Sequence, residues 1–384
     1  MKNKAAAVVL AVLMSVALTS CSRVTIYSQQ REPDDYILIQ AIGIDWTDGQ
    51  IVVTASTGTG LDGEEPKIFE AKNATLSQAI NDIKYGYLNE EAFFSHTSQI
   101  VIGEDAAARG IEEYLDYTAR NINMRLSSNI YIVQGGTAGE LIKETDGGSI
   151  SATDMLMAVN DKAEYMMLGK VSNCDNIIEE LEKNEYGLIT AVKKIQPMEV
   201  FGKEKVGITA AGYVLIQNGK LARFIDEYEA TGVAIARGEV KSGEISVTMD
   251  DGYKVTVRIT EVEVSERAEY DGGPDITVRV NIKLNVEGAA GAIDLTDYNV
   301  RREIAEKAER EIQDRVSTAI EKAQRAGTDY CRIGESIYLR HPYKFRSTYL
   351  NWNEIFPECV IKTEVSTIIE RTYDVADSPE LQGD

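Results

Sequence analysis

Four cysteines and two histidines hold most of the reactive side chains of this 384-residue chain, and their spacing limits what they can do. Cys174, Cys331 and Cys359 stand far apart. No pair has the two-residue spacing of a metal knuckle, and with Cys21 set aside the count is odd. Either a Cys331–Cys359 disulfide or buried free thiols would satisfy them. His96 and His341 are too few for a histidine-rich metal site. His96 sits in Phe93-Phe94-Ser95-His96-Thr97, where it could serve as a base, yet no nucleophile or orienting acid can be assigned to it. Gly58-Thr59-Gly60-Leu61-Asp62-Gly63 spells G-x-G-x-x-G after an apolar run. A dinucleotide site needs the third glycine to open a helix, whereas Glu64, Glu65 and Pro66 follow here, and two carboxylates would repel a pyrophosphate. The segment reads as a loop. H-E-x-x-H, G-x-S-x-G and the phosphate-loop lysine motif are all missing from the sequence, so it predicts no catalytic, cofactor-binding or metal-ligating residue and no enzymatic activity.

Cys21 is different. Lys2 and Lys4 give a basic start, residues 5–17 are apolar and small apart from Ser15, and Leu18-Thr19-Ser20-Cys21 closes the run. A basic head, a short apolar stretch and small residues before a cleavage point describe an export signal. The stretch is shorter than the roughly 20 apolar residues of a permanent span. Its end resembles the lipobox of bacterial lipoproteins, which implies cleavage between Ser20 and Cys21 and a diacylglyceryl group on the Cys21 thiol. An ordinary signal peptide with a chance cysteine is the alternative. Two acyl chains anchor stably where one does not, each buried methylene adding about 0.8 kcal/mol.

The formal charge is −22. Removing Lys2 and Lys4 leaves 38 basic against 62 acidic residues, or −24. Nucleic acid and anionic lipid head groups both want Lys and Arg, so the whole-chain balance argues against either as a partner. It suits a soluble body held off the bilayer.

The elements follow from periodicity. Residues 22–35 are polar and read as a tether. Residues 37–44 and 51–57 are strands around Asp48-Gly49, a hairpin turn. Leu76, Ala79, Ile80 and Ile83 have helical spacing, with Thr75 as cap. Strand 98–102, helix 104–121, strand 128–133 and helices from 137 and 173 continue an alternating pattern. Pro197, Gly202 and charged residues interrupt it over 196–206. Asn218-Gly219 then marks a second hairpin, and Asp250-Asp251-Gly252 a third. Residues 276–286 alternate, with Ile276, Val278, Val280, Ile282, Leu284 and Val286 on one face and Thr277, Arg279, Asn281, Lys283 and Asn285 on the other, a strand with one wet side. From 297 to 326, apolar residues at Val300, Ile304, Ala308, Ile312, Val316, Ile320 and Ala323 make the longest helix, ended by Gly327. At about 1.5 Å per residue it extends some 45 Å; its stripe needs the adjacent sheet or another subunit. A last strand covers 359–373. The expected organisation is a signal at 1–20, a lipidated tether at 21–35, an α/β domain at 36–200, a small middle domain at 201–240, an α+β domain at 241–376 and a frayed tail at 377–384.

Several segments, taken in order, resemble one family, the C-subunit lipoproteins of spore germination receptors, the Ger(x)C group. They are Glu32-Pro33-Asp34-Asp35-Tyr36 leading into Ala41-Ile42-Gly43-Ile44-Asp45, then Phe93 to Glu104 with His96, and Gly110 to Tyr117 with Met124-Arg125-Leu126. Gly212-Tyr213-Val214-Leu215, Gly219-Lys220-Leu221, Glu229-Ala230-Thr231-Gly232 and Tyr349 to Pro357 with Trp352 continue the match. Many members start Cys-Trp-Asp, where this chain has Cys21-Ser22-Arg23. The resemblance implies a body of three mixed α/β domains; with the periodicity above, the expected class is α+β, a long amphipathic helix lying against an antiparallel-rich sheet in the C-terminal domain. It also implies a lipoprotein on the outer leaflet of the spore inner membrane. There it would work with a transporter-like subunit and a second multi-spanning subunit, without catalysis. A lipid-anchored solute-binding protein and an envelope hydrolase acting through His96 or Asp45 are the rival readings from the residues themselves.

Overall fold

The computed structural model describes residues 36–59, 65–86, 91–146, 150–200, 203–270, 274–290 and 293–371. Two sheets organise them into a multi-domain α+β body. The first has eight strands: β2 (Ala41–Thr47), β3 (Gln50–Ser56), β4 (Ile68–Asn73), β6 (Gln99–Ile102), β7 (Asn129–Val133), β8 (Tyr186–Val200), β9 (Lys203–Gln217) and β10 (Lys220–Ile225). Their order is β10-β9-β8-β7-β6-β2-β3-β4. The four central strands β8, β7, β6 and β2 run parallel, and the flanking pairs are antiparallel. A short parallel pair, β1 (Tyr36–Leu38) with β5 (Glu91–Phe93), lies beside it.

Parallel strands buried on both faces are apolar at every position, because successive side chains point to opposite sides. Ile100 and Ile102 face one core and Val101 the other; Ile130 and Ile132 oppose Tyr131 and Val133 in the same way. One face is covered by α1 (Leu76–Tyr85), α2 (Glu104–Arg109), α3 (Glu112–Arg120) and α6 (Cys174–Asn184). The other is covered by α4 (Ala138–Asp146), α5 (Ala152–Lys162) and α7 (Glu227–Ala236).

The second sheet has the order β11-β12-β13-β14, from β11 (Gly243–Thr248), β12 (Lys254–Tyr270), β13 (Pro274–Ala290) and β14 (Val360–Arg371). Three strands are antiparallel and β14 joins β13 in parallel. The alternating face of β13 is buried as its pattern requires, and the opposite face carries ion pairs such as Arg279–Glu364 (2.7 Å) and Lys283–Glu261 (2.7 Å). The long helix α8 (Tyr298–Ala326) is capped by Asp297 and stopped by Gly327 in the left-handed region (φ 67°). Its stripe of Ile304, Ala308, Ile312, Val316, Ile320 and Ala323 packs on β11, β14 and α7 within the same chain. Three short helices, α9 (Ile333–Arg340), α10 (Pro342–Leu350) and α11 (Trp352–Ile355), form a lobe before β14.

The sequence-based expectations hold at the hairpins: Asp48 and Gly49, and Asn218 and Gly219, all have positive φ, the geometry of a two-residue turn matched to sheet twist. Thr75 caps α1 as its spacing predicts. Elsewhere the structure differs. The helix expected over 104–121 is two helices, broken where Gly110 takes φ 141° and Ile111 donates to the Gly219 carbonyl instead of continuing the helix. The interruption at 196–206 falls at the outer end of the β8–β9 hairpin, where β8 has run past β7 and pairs with β9 alone. Pro197 sits in a register shift there and gives up no ladder bond of a central strand. β9 and β10 thereby extend the first sheet, so residues 203–225 have no sheet of their own.

Candidate functional site

The residues that looked chemically able are held apart. Cys21 and the Ser20–Cys21 bond lie outside the described residues, as do Gly60 to Gly63. Gly58 ends β3's loop with its N–H donated to Ser56 Oγ (3.1 Å), and Thr59 donates to Asp154 (3.0 Å). That partner lies in the first turn of α5, whose N-terminus is already closed by a capping box between Ser151 and Asp154. His96 is exposed in a single turn beside the Phe93 ring (centroids 6.0 Å apart). Cys174, Cys331 and Cys359 are free thiols, so the disulfide reading is not realised. Burial pushes the Cys174 thiol up to about 12 and the Cys359 thiol up to about 11, and Cys331 rises well above the ordinary thiol value, which makes all three poor nucleophiles. Among the described residues no cluster of His, Cys, Asp and Glu is arranged to hold a metal, and no helix is long and apolar enough to cross a membrane.

Asp45, at the end of β2, is buried. Its two oxygens accept from the Ala138 and Gly139 amides (2.8 Å each), the open N-terminus of α4. Removal from water raises its pKa more than these bonds lower it. Both oxygens accept from the backbone and the side chain is closed off from solvent, so the group positions a helix. Asp329 repeats the arrangement in the other half of the chain. It accepts from the Ile333 (3.0 Å) and Gly334 (2.7 Å) amides at the start of α9, and from the Trp352 indole (2.7 Å). Burial pushes it up to about 6 against the pull of those three donors.

Next to Asp329 lies a polar junction that joins the sheets. Asp226 caps α7 by accepting from the Glu229 amide (2.9 Å), and the next turn places the Glu229 side chain wholly inside. There it accepts from Arg223 of β10, from Tyr330 Oη (2.7 Å) and from Lys322 of α8 (3.0 Å). Burial alone would raise its pKa, but the bonds from Arg223, Tyr330 and Lys322 outweigh it and hold the carboxyl below its usual value. Arg237, at the end of α7, donates to the Tyr330 carbonyl (2.7 Å), and Tyr186 of β8 donates to the Asp329 carbonyl (2.8 Å). A groove of about 420 Å³ opens beside this junction, lined by Lys183, Tyr186, Asp329, Arg332, Tyr349 and Trp352 among others. Its two cations are paired: Arg332 with Glu180 of α6, and Lys183 with Glu335 of α9. Arg332 reaches this position from a left-handed backbone (φ 58°), a conformation non-glycine residues rarely adopt. The arrangement ties helices of one sheet to helices of the other.

Sequence reasoning missed this junction, because its members are spread from Arg223 to Trp352 and no local pattern links them. The comparisons follow the same two halves. Residues 29–194 match the family model described as spore germination protein N-terminal domain, and residues 211–373 that described as spore germination B3/GerAC like, C-terminal. Spore germination protein KC of Bacillus subtilis (strain 168) is 21% identical over 407 aligned residues, covering 97% of each chain. Spore germination protein YndF of the same organism is 22% identical over 289 residues, 73% of this chain and 69% of that one. The crystal structure of the GerBC protein shares the fold, with a TM-score of 0.57 at 18% identity, covering 86% of this chain and 96% of that one. With both halves of the chain matched in order and the fold shared, the chain belongs to the Ger(x)C, or GerAC-like, family of spore germination proteins.

Proposed function

We propose that this chain is a lipid-anchored, non-enzymatic subunit of a nutrient germinant receptor of bacterial spores, held on the outer leaflet of the inner membrane by Cys21. It acts by assembly with a transporter-like subunit and a multi-spanning subunit. The observation that carries the reading is the likeness to Spore germination protein KC, which runs over nearly the whole of both chains. The geometry supports it in a second way. Asp45, Asp329 and Glu229 are committed to hydrogen bonds that brace helices and join sheets, so the body is built to hold a shape against partners. An anchor would raise its effective concentration near membrane proteins. A solute-binding protein needs uncommitted polar groups in its cleft, whereas the groove's Lys183, Arg332 and Asp329 are engaged within the protein.

Crosslinking in intact spore membranes, followed by affinity capture of this chain, tests the reading. Recovery of multi-spanning membrane proteins of the receptor type, and loss of nutrient-triggered germination on deletion of the chain, are expected. Recovery of a transporter permease and ATPase, with germination intact, would replace it with the solute-binding reading.

A further inference from the structure

The chain is strongly acidic, yet one surface is not. From Ser336 to Asn353 there is no Asp or Glu, while Arg340, Lys344 and Arg346 are all present. The same short lobe carries the most exposed large apolar side chains of its region: Leu339 is 71% exposed, Leu350 75% and Tyr343 97%. Two helices explain the display. In α10 the inner face is Phe345, which is fully buried and meets the Trp352 ring edge-on at 5.5 Å, and Tyr349, which stacks on Tyr338 at 4.5 Å. A helix that turns 345 and 349 inward must turn 343, 347 and 350 outward. Arg346 then falls on one flank of the Tyr343–Leu350 stripe and Lys344 on the other. Arg340, itself exposed, is engaged by the buried Glu266 (2.8 Å) and the Val264 carbonyl (3.1 Å). Among the described residues no carboxylate pairs with Lys344 or Arg346.

We infer that the outer face of α10, with Leu339 at the end of α9, is a docking surface for an anionic phospholipid bilayer. Tyr343 projects from the surface, and Leu350 at the far end of the stripe borders the groove beside Trp352; an outstanding ring between two unpaired cations suits insertion among anionic head groups. A tyrosine has an apolar ring and a polar tip, the combination favoured at a membrane–water boundary. The flanking cations keep their heads in water and meet lipid phosphates, while Leu339 and Leu350 reach the acyl boundary. The −22 charge of the whole chain repels the rest of the surface from the same bilayer, so the lobe sets an orientation as well as a contact. This surface does not depend on an acyl group at Cys21. It fixes which way the body faces, which a single point of attachment at Cys21 does not.

The test uses the full chain with Cys21→Ala and a polarity-sensitive fluorophore on Tyr343→Cys or, as a control, on Tyr298→Cys. Tyr298 is also exposed (67%) but opens the far end of the 29-residue α8. Protein labelled without either introduced cysteine supplies the background from Cys359. With vesicles of phosphatidylglycerol carrying nitroxide lipid, the probe at 343 should shift to the blue and be quenched, while the probe at 298 stays in water. Lys344→Glu with Arg346→Glu should weaken that partition by at least about tenfold, with the circular dichroism spectrum unchanged. A probe at 343 that stays in water with phosphatidylglycerol overturns the inference. So does a signal equally strong with phosphatidylcholine, unaffected by the charge reversals, or seen only when spore membrane proteins are added.

Discussion

Glu229 and Tyr330 are 101 residues apart in sequence and meet in a 2.7 Å hydrogen bond, hydroxyl to carboxylate, in the interior between the two sheets. The same carboxylate takes Arg223 from β10 and Lys322 from α8, so one side chain of α7 ties the first sheet to the long helix of the second. Glu229→Ala should cost about 2–4 kcal/mol in urea unfolding. The loss falls short of a fully buried pair because Arg223 and Lys322 are each about a third exposed and regain water. Tyr330→Phe should cost about 1–2 kcal/mol. In a double-mutant cycle the two changes should couple strongly, since they share one bond.

Glu229 and Asp329 should impose opposite pH dependences on stability. The Glu229 carboxyl is held below its ordinary value, so its contribution is present above the unfolded pKa of about 4.3 and is lost as pH falls through the folded one. Asp329 is pushed up to about 6. Its contribution is complete below the unfolded value of about 3.9 and is lost as pH rises through about 6, some 2–3 kcal/mol across the window. Measured as wild type minus variant from pH 3.5 to 7, the difference for Asp329→Asn should fall with rising pH. The difference for Glu229→Gln should rise. Parallel curves would contradict both assignments.

Gly232 lies where α7 crosses α8. A Cβ there would stand 2.1 Å from the Arg315 carbonyl oxygen, a backbone atom that cannot rotate away. Gly232→Ala should therefore push the helices apart and cost at least about 2–3 kcal/mol in thermal or urea unfolding. Gly327→Ala is the comparison, because that site is left-handed (φ 67°) with open space around it. It should cost about 1 kcal/mol from backbone strain alone.

Asp45→Ala would leave the Ala138 and Gly139 amides without partners in the core, a loss of about 2–4 kcal/mol. Germination by spores carrying it should fall only as far as the amount of folded protein falls. His96→Ala, on an exposed turn, should leave both stability and germination near wild type. Loss of germination with normal levels of either folded variant would restore a catalytic reading.

What the sequence makes legible depends on whether an element has two unlike sides. α8 and β13 each bury one face and wet the other, so their periods are readable; the α8 limits coincide with its caps, while β13 runs on to Ala290, beyond the 276–286 that alternation marks. α7 was not legible. Every residue from Glu229 to Ala236 is buried, so Ala230, Val233, Ala234 and Ile235 show no stripe, and its small residues are explained by the close crossing at Gly232. The Glu229 junction was hidden for another reason: its partners lie in β10, in α8 and in the turn after α8, and Glu229 reads locally as one more acid in an acidic chain. The cationic lobe around Lys344 and Arg346 was masked by averaging, since a charge of −22 over the whole chain says nothing of an 18-residue window with no acid in it. Asp45 was visible as a residue beside a strand, but only the fold brings it to the start of α4, 93 residues away.

The central claim is that this body works from a lipid anchor at Cys21 beside membrane partners, and one substitution addresses it most directly. Spores carrying Cys21→Ala should be fractionated, and nutrient-triggered germination measured on the same preparation. The expected result is a folded chain that a high-salt wash strips from the inner-membrane fraction, since only the charge-dependent hold of the α10 face remains, and a loss of germination. A soluble Cys21→Ala protein that supports germination at the wild-type rate would contradict it.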